Sequence, residues 1–158
     1  MGSVTVPTSC PIYVDANVVI YAVAKHPRHG PALSPLWVAM DAGSARAISS
    51  ELILLETLVG PYRSGLNQLV ADYEAFLGLP GIQLVPVSRA ILREAARLRA
   101  SVPRLRSPDA IHAATALLHG VASFVTNDPV FRAVPGLHLV LLDEVVDSGP
   151  GALHPRGP

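Results

Sequence analysis

Four acidic residues in this 158-residue chain stand where carboxylates are typically used for chemistry. Asp15 closes the first predicted strand, and Asp128 follows a predicted strand at 121–126 by two residues. Asp109 stands in the first turn of a predicted helix, where the helix dipole alone would stabilise an acid by roughly 0.3 to 1 kcal/mol. Ligands of an open parallel α/β sheet bind at the carboxyl ends of its strands, so these acids are candidates for one shared site.

Glu56 is the fourth candidate, because it shares a helix face with apolar residues. Leu52, Leu55 and Val59 lie at i−4, i−1 and i+3 from it, which predicts that Glu56 points towards the core. A buried carboxylate must be protonated, paired with arginine or bound to a cation. Glu51 is the rival acid on this helix, but its position in the first turn is explained by the dipole. Glu56 is therefore the preferred residue.

Acids from separate segments repel one another where they converge, unless a positive charge lies between them. A divalent metal ion is the simplest such charge, and carboxylate oxygens without cysteine favour Mg²⁺ or Mn²⁺ over Zn²⁺. The single cysteine excludes a thiolate cage, and no two histidines have the spacing of a ligand pair. His112, three residues after Asp109, is expected to pack or to support the site rather than to bind the ion.

Carboxylate-held metal is a standard means of hydrolysing phosphodiesters, because it supplies hydroxide at neutral pH and neutralises charge on the phosphate. The pattern therefore predicts a nuclease. A segment at 89–106 carries six arginines against one acid, Glu94, and leads directly into Asp109. Arg104 and Arg106, in the loop before the site, are predicted to bind the nucleic-acid backbone. The arginines of the preceding helix are explained equally well as a solvated face.

The elements that must position these residues can be predicted from the sequence. Short apolar runs alternate along the chain with stretches that have the apolar spacing of a helix, which predicts the α/β class with a parallel sheet between helices. Ser107 and Pro108 are a strong helix start, with Ser107 as the N-cap. Residues 11–143 are predicted to form one nuclease domain, and the Gly/Pro-rich residues 144–158 a disordered tail. Strands are predicted at 11–15, 45–48, 82–85, 121–126 and 137–142, and helices at 17–24, 33–41, 50–62, 67–77, 88–100 and 107–118.

Composition agrees with one globular domain and excludes several classes of protein. Half of the residues are hydrophobic and 15% are charged, which excludes a disordered chain. The formal net charge is zero, so any nucleic acid must be bound by a local patch. No apolar run reaches the roughly 18 residues of a membrane span, and the N-terminus lacks the pattern of a signal peptide. We expect a cytoplasmic protein with no membrane partner, and the single cysteine fits a reducing compartment.

Four segments, taken in their order and spacing, resemble the PIN-domain ribonucleases and especially the VapC-type toxins of toxin–antitoxin systems. The segments are YVDANVV at 13–19, SSELILLETL at 49–58, SPDAIHAATAL at 107–117 and VTNDPVF at 125–131. The resemblance spans about residues 12–142.

The resemblance implies a three-layer α/β/α fold with a central parallel five-stranded sheet, and cleavage of RNA by a metal-dependent endoribonuclease. Asn17 and Thr126 match polar positions that support the metal site and the scissile phosphate. The implied partners are an RNA substrate, a second copy in a homodimer, and a small cognate antitoxin whose tail plugs the acidic site. The residues implied to hold Mg²⁺ or Mn²⁺ and to act in catalysis are Asp15, Glu56, Asp109 and Asp128.

Other functions fit less well. A haloacid-dehalogenase-like phosphatase needs a second acid two residues after the first, where this chain has Asn17, and a response-regulator receiver needs a late lysine, whereas the sole lysine is Lys25. Two alternatives remain open: a stand-alone RNA-processing nuclease, and a catalytically silent PIN-like module that binds RNA or protein.

Overall fold

A computed structural model describes residues 2–148 and contains one parallel sheet of five strands in the order β3-β2-β1-β4-β5. The central strand pairs Tyr13 with Ile48 on one side and with Phe124 on the other. The strands are β1 (Ile12–Val14), β2 (Ala47–Ser50), β3 (Ile82–Val85), β4 (Ser123–Thr126) and β5 (Leu139–Leu141).

Helices connect the strands, as parallel pairing requires. The helices are α1 (Ala16–Val23), α2 (Gly30–Asp41), α3 (Leu52–Arg63), α4 (Asn67–Leu77), α5 (Arg89–Ser101), α6 (Ser107–Leu118) and α7 (Leu142–Asp147), with a short 3₁₀ helix at Pro129–Ala133. No helix within residues 2–148 combines the length and the apolar character of a membrane span.

The buried residues form two cores, one on each face of the sheet. Successive side chains of a strand point to opposite faces, so Ile12 and Val14 join one core while Tyr13 joins the other. Helices α1 to α4 and α7 cover the first face, and α5 and α6 cover the second. The predicted three-layer α/β/α fold with a parallel five-stranded sheet is confirmed.

Helix α6 carries small residues where it packs on the sheet. Ala110, Ala113, Ala114 and Ala116 have no exposed surface. Their small side chains allow close approach of the helix backbone, which brings the first turn of α6 to the edge of the sheet where β1 and β4 end.

The structure corrects two details of the predicted boundaries. Arg106 is the N-cap of α6 and Ser107 is its first helical residue, whereas the sequence pattern assigns the cap to Ser107. Residues 144–147 belong to α7, although they were predicted to start a disordered tail. Helix α7 is held by the fully buried Leu142 and by an ion pair of Arg28 with Asp147 at 2.9 Å. The remainder of the predicted tail, 149–158, lies outside the described residues.

Candidate active site

Successive strands are placed first on one side of β1 and then on the other, and a cavity lies at this point of the sheet. The chain adds β2 and β3 on one side of β1 and then returns to place β4 on the other side. A crevice at the carboxyl ends of the strands forms at such a switch point. The cavity here has a volume of about 240 Å³. It is lined by Asp15, Ala16, Asn17, Glu56, Arg106, Asp109, His112, Asp128 and Phe131.

Asp15 is the most deeply buried of the four acids. It follows β1 and caps α1, where its Oδ1 accepts a hydrogen bond from the Val18 N–H at 3.2 Å. Its Oδ2 accepts a short hydrogen bond from the Thr126 hydroxyl. Burial raises the pKa of Asp15 to about 6, and the bonds from Thr126 and Val18 offset only part of that effect. The ionised carboxylate therefore lacks sufficient positive charge around it.

Asp128 is tied to Asp15 through Thr126. The Thr126 hydroxyl oxygen accepts the Asp128 N–H at 3.0 Å while its hydrogen goes to Asp15. Asp128 itself caps the 3₁₀ helix, because its Oδ1 accepts the Val130 N–H at 2.9 Å. Thr126, which lies behind the cavity wall, thus sets the relative position of two acids that are distant in sequence.

Asp109 is the third residue of α6 and has an arginine beside it. Its Oδ2 accepts hydrogen bonds from the Arg106 backbone N–H at 3.1 Å and from Arg106 Nε at 3.2 Å. The Arg106 side chain is largely exposed at the cavity mouth, and its bond to Asp109, with the charges of Asp128 and Glu56, raises its pKa. One guanidinium therefore faces an acidic cavity and remains fully charged.

Glu56 lies at the border of the core rather than inside it. Its side chain is 27% exposed, and Leu55 and Val59, expected to share a buried face with it, are exposed. Helix α3 instead buries the face that carries Ile53 and Leu58. The expected buried orientation of Glu56 was wrong for this reason, although the residue reaches the cavity.

His112 connects Glu56 to the centre of the sheet. Its Nε2 lies 2.7 Å from Glu56 Oε2, and its Nδ1 lies 2.6 Å from the Tyr13 hydroxyl. Burial raises the pKa of Tyr13 well above its usual range, so the phenol keeps its proton. His112 was predicted to pack or to support the site, and no role was predicted for Tyr13. The available signal for Tyr13 was its polar hydroxyl at the middle of a strand whose three residues are all buried.

The structure brings most of the predicted site residues together. All four acids, Asn17 and Arg106 line the one cavity, and Thr126 supports it from behind. Arg104 is exposed and does not line the cavity.

The donor set of the cavity fits a hard divalent cation. The donors are carboxylate oxygens without cysteine, which Mg²⁺ and Mn²⁺ prefer. Glu56, Asp109 and Asp128 each use one oxygen in a hydrogen bond within the described chain and leave the other free. Within residues 2–148, however, no three His, Cys, Asp or Glu side chains are already arranged as a metal-binding group. Ion binding therefore requires side chains to move closer together, which the half-buried Asp128 allows.

Solved structures share this fold at low sequence identity. VapBC2 from Rickettsia felis, bound to a promoter DNA fragment, has a TM-score of 0.68 at 20% identity, covering 82% of this chain and 97% of that one. DNA-bound VapBC from Salmonella typhimurium has a TM-score of 0.66 at 20% identity, covering 84% and 98%. FitAcB from Neisseria gonorrhoeae has a TM-score of 0.58 at 18% identity, covering 83% and 97%. These likenesses concern the fold.

The sequence identifies a family, whereas the structural similarities show only the fold. Curated protein sequences gave no significant match. The PIN domain family matches the sequence over residues 12–137, which include all four acids and every strand of the sheet except the last. The chain therefore belongs to the PIN domain family.

Proposed function

We propose that this protein is a metal-dependent endoribonuclease that hydrolyses RNA phosphodiesters, and that it acts as the toxin of a toxin–antitoxin pair. The observation that most supports the nuclease activity is the convergence of four carboxylates, from four separate segments, on one cavity with Arg106 at its mouth. Membership of the PIN family supports the same reaction class.

The chain's own residues divide into those that hold the ion and those that serve the RNA. Asp15, Glu56, Asp109 and Asp128 would hold Mg²⁺ or Mn²⁺, which when bound supplies a hydroxide at neutral pH and neutralises phosphate charge. Arg106 contacts a backbone phosphate at the cavity mouth, since a guanidinium matches phosphate geometry. Three residues have supporting roles. Asn17 would face the scissile phosphate, and Thr126 orients Asp15. Arg104 would bind the RNA backbone outside the cavity.

Removing divalent metal tests this reaction directly. We expect EDTA to reduce cleavage of a mixed RNA substrate by the purified protein to background, and added Mn²⁺ or Mg²⁺ to restore it, because the acids alone offer no nucleophile. Gel analysis of the RNA fragments gives the measurement. A buffer-exchanged sample taken through the same steps without EDTA is the control. Cleavage that is indifferent to chelator would refute the metal-dependent mechanism.

The antitoxin proposal is supported by an apolar groove along α2. Two adjoining cavities of about 410 and 340 Å³ both contact Ala22 and Trp37, so they form one groove between α1, α2 and α4. Trp37 packs edge-to-face on Phe76, with the ring centroids 5.2 Å apart. Structures with this fold include toxin–antitoxin complexes, such as one from Klebsiella pneumoniae at 22% identity. We assign the groove to an apolar segment of a small antitoxin protein.

Expression in a bacterial host tests the toxin and the groove together. We expect wild-type protein to arrest growth, and the small protein encoded beside it to relieve the arrest. Trp37→Ala should still arrest growth but lose that relief, because a large aromatic anchor carries much of the energy of such an interface. Val38→Ala, at an exposed neighbouring position on α2, is the matched control. Harmless expression of active enzyme would favour a stand-alone RNA-processing nuclease instead.

The homodimer proposal is supported by an exposed apolar stripe at α3. Leu55 is 65% exposed and Tyr62 61%, and with Val59 they follow the spacing of one helix face, while Leu66, 51% exposed, lies just after the end of α3. Contiguous exposed apolar surface of this kind marks an interaction site. We assign it to a second copy of the chain. Light scattering should give twice the chain mass for wild type and the chain mass for the double variant Tyr62→Glu, Leu66→Glu; a wild-type monomer would exclude the assignment.

A further inference from the structure

A continuous line of hydrogen bonds runs from the sheet through two buried rings to Glu56. The Ser50 N–H donates to the Tyr13 hydroxyl oxygen at 2.9 Å. That hydroxyl lies 2.6 Å from His112 Nδ1, and His112 Nε2 lies 2.7 Å from Glu56 Oε2. Tyr13 and His112 are both buried, so neither exchanges these partners for water.

One neutral tautomer of His112 satisfies every hydrogen bond along this line. The Tyr13 oxygen accepts from Ser50, and in this arrangement its own hydrogen goes to His112 Nδ1, 2.6 Å away. Nδ1 therefore carries the lone pair and Nε2 the hydrogen, which it donates to Glu56. The opposite neutral tautomer would set a nitrogen lone pair against a carboxylate oxygen at 2.7 Å.

Packing fixes both rings in place. Tyr13 stacks on Phe124 with the ring centroids 4.7 Å apart and an interplanar angle of 8°. His112 meets the Tyr13 ring edge-on at 5.8 Å. The N–H group that donates to Glu56 thus belongs to a ring that the core holds rigidly, although the Glu56 side chain is itself partly exposed.

Glu56 differs from the other three acids in how it is held. Asp15, Asp109 and Asp128 each accept a backbone N–H from their own turn, given by Val18, Arg106 and Val130 respectively. The hydrogen bonds described for residues 2–148 give the Glu56 carboxylate no backbone donor, and its partner is the His112 ring. Because the long Glu56 side chain has no backbone donor in its own turn, it needs a donor that is distant in sequence, such as His112, to keep one orientation.

We propose that His112 is a positioning residue, which holds the Glu56 carboxylate at the cavity through Nε2–H, and that the Tyr13 hydroxyl keeps His112 in the required tautomer. This inference rests on the proposed function, in which Glu56 helps to hold the metal ion. One carboxylate oxygen is occupied by His112, so the other is the one offered to the ion. Groups that orient metal ligands in this way typically affect metal affinity or activity by about 10–100-fold.

A matched pair of substitutions separates positioning from simple packing. Gln at position 112 can place an amide N–H where Nε2 stands, whereas Asn reaches only the position of Nδ1. We expect His112→Asn to weaken Mn²⁺ binding and to lower kcat, each about tenfold, with little change in KM for RNA. His112→Gln should restore most of both losses. Mn²⁺ binding is measured by electron paramagnetic resonance and cleavage by steady-state kinetics, with thermal unfolding as the check on folding.

Tyr13→Phe provides a second test that does not touch His112. The long-range ¹H–¹⁵N spectrum of the wild type should show His112 protonated at Nε2 and unprotonated at Nδ1, and Tyr13→Phe should lose this single-tautomer signature. A wild-type ring protonated at Nδ1 alone would overturn the inference, as would equal Mn²⁺ affinity in His112→Asn and wild type. Failure of the proposed function is distinguishable, because wild type would then neither bind Mn²⁺ nor cleave RNA.

Discussion

Asp15→Asn is expected to reduce RNA cleavage at least about a thousand-fold, which corresponds to roughly 4 kcal/mol of lost transition-state stabilisation. Asp15 is the acid at the centre of the site, because it follows β1 directly and shares Thr126 with Asp128. The amide keeps the size of the carboxylate but lacks the charge that a divalent ion requires. Single-turnover cleavage of labelled RNA at saturating Mn²⁺ gives the measurement.

The control for this variant is Asp72→Asn, which makes the same chemical change on the exposed face of α4. We expect it to cleave RNA at the wild-type rate. Circular dichroism should show that both variants keep the helix content of the wild type, so that the loss in Asp15→Asn is assigned to the site. Cleavage by Asp15→Asn within tenfold of wild type would mean that this carboxylate does not hold the ion.

The fold was accessible from sequence because local pattern and tertiary structure agree over most of the chain. The strand at 82–85 and the helix at 67–77 were predicted with the bounds that the structure gives. Helix α7 was not predicted, because six residues are too few to show the repeating apolar spacing of a helix. Its stability depends on the burial of Leu142 and on the pairing of Arg28 with Asp147, contacts between segments that are distant in sequence.

The site was accessible in part, and the limit has a physical origin. Acids that follow strands can be assigned to one sheet edge from topology alone, which is how Asp15 and Asp128 were found. The role of Tyr13 depends on a contact with His112, 99 residues away, and side-chain pairing at that range has no local signal. The Glu56 prediction named a residue that lines the cavity, but it assumed that the residue is buried with its apolar neighbours, whereas helix α3 leaves Leu55 and Val59 exposed.

The metal-free protein should also show a pH-dependent stability that Asp15 controls. Burial raises the pKa of this carboxyl from 3.8 to about 6, so the folded state binds a proton more tightly than the unfolded state. The resulting stabilisation is fully present below pH 3.8 and is lost as pH rises through about 6. At 1.36 kcal/mol for each pKa unit, the full loss is about 3 kcal/mol.

Urea unfolding in EDTA at a series of pH values measures this loss as a difference between wild type and Asp15→Asn. The other ionisable groups are the same in both proteins, so the contributions of those distant from Asp15 cancel. Wild type should therefore lose stability relative to Asp15→Asn as pH rises from about 4.5 to 7.5, by about 2 kcal/mol of the full change. Parallel pH profiles would show that the buried carboxyl carries no charge penalty. Saturating Mn²⁺ should reverse the trend for wild type alone, because the cation favours the ionised form of Asp15 and its binding stabilises the folded state more strongly above pH 6.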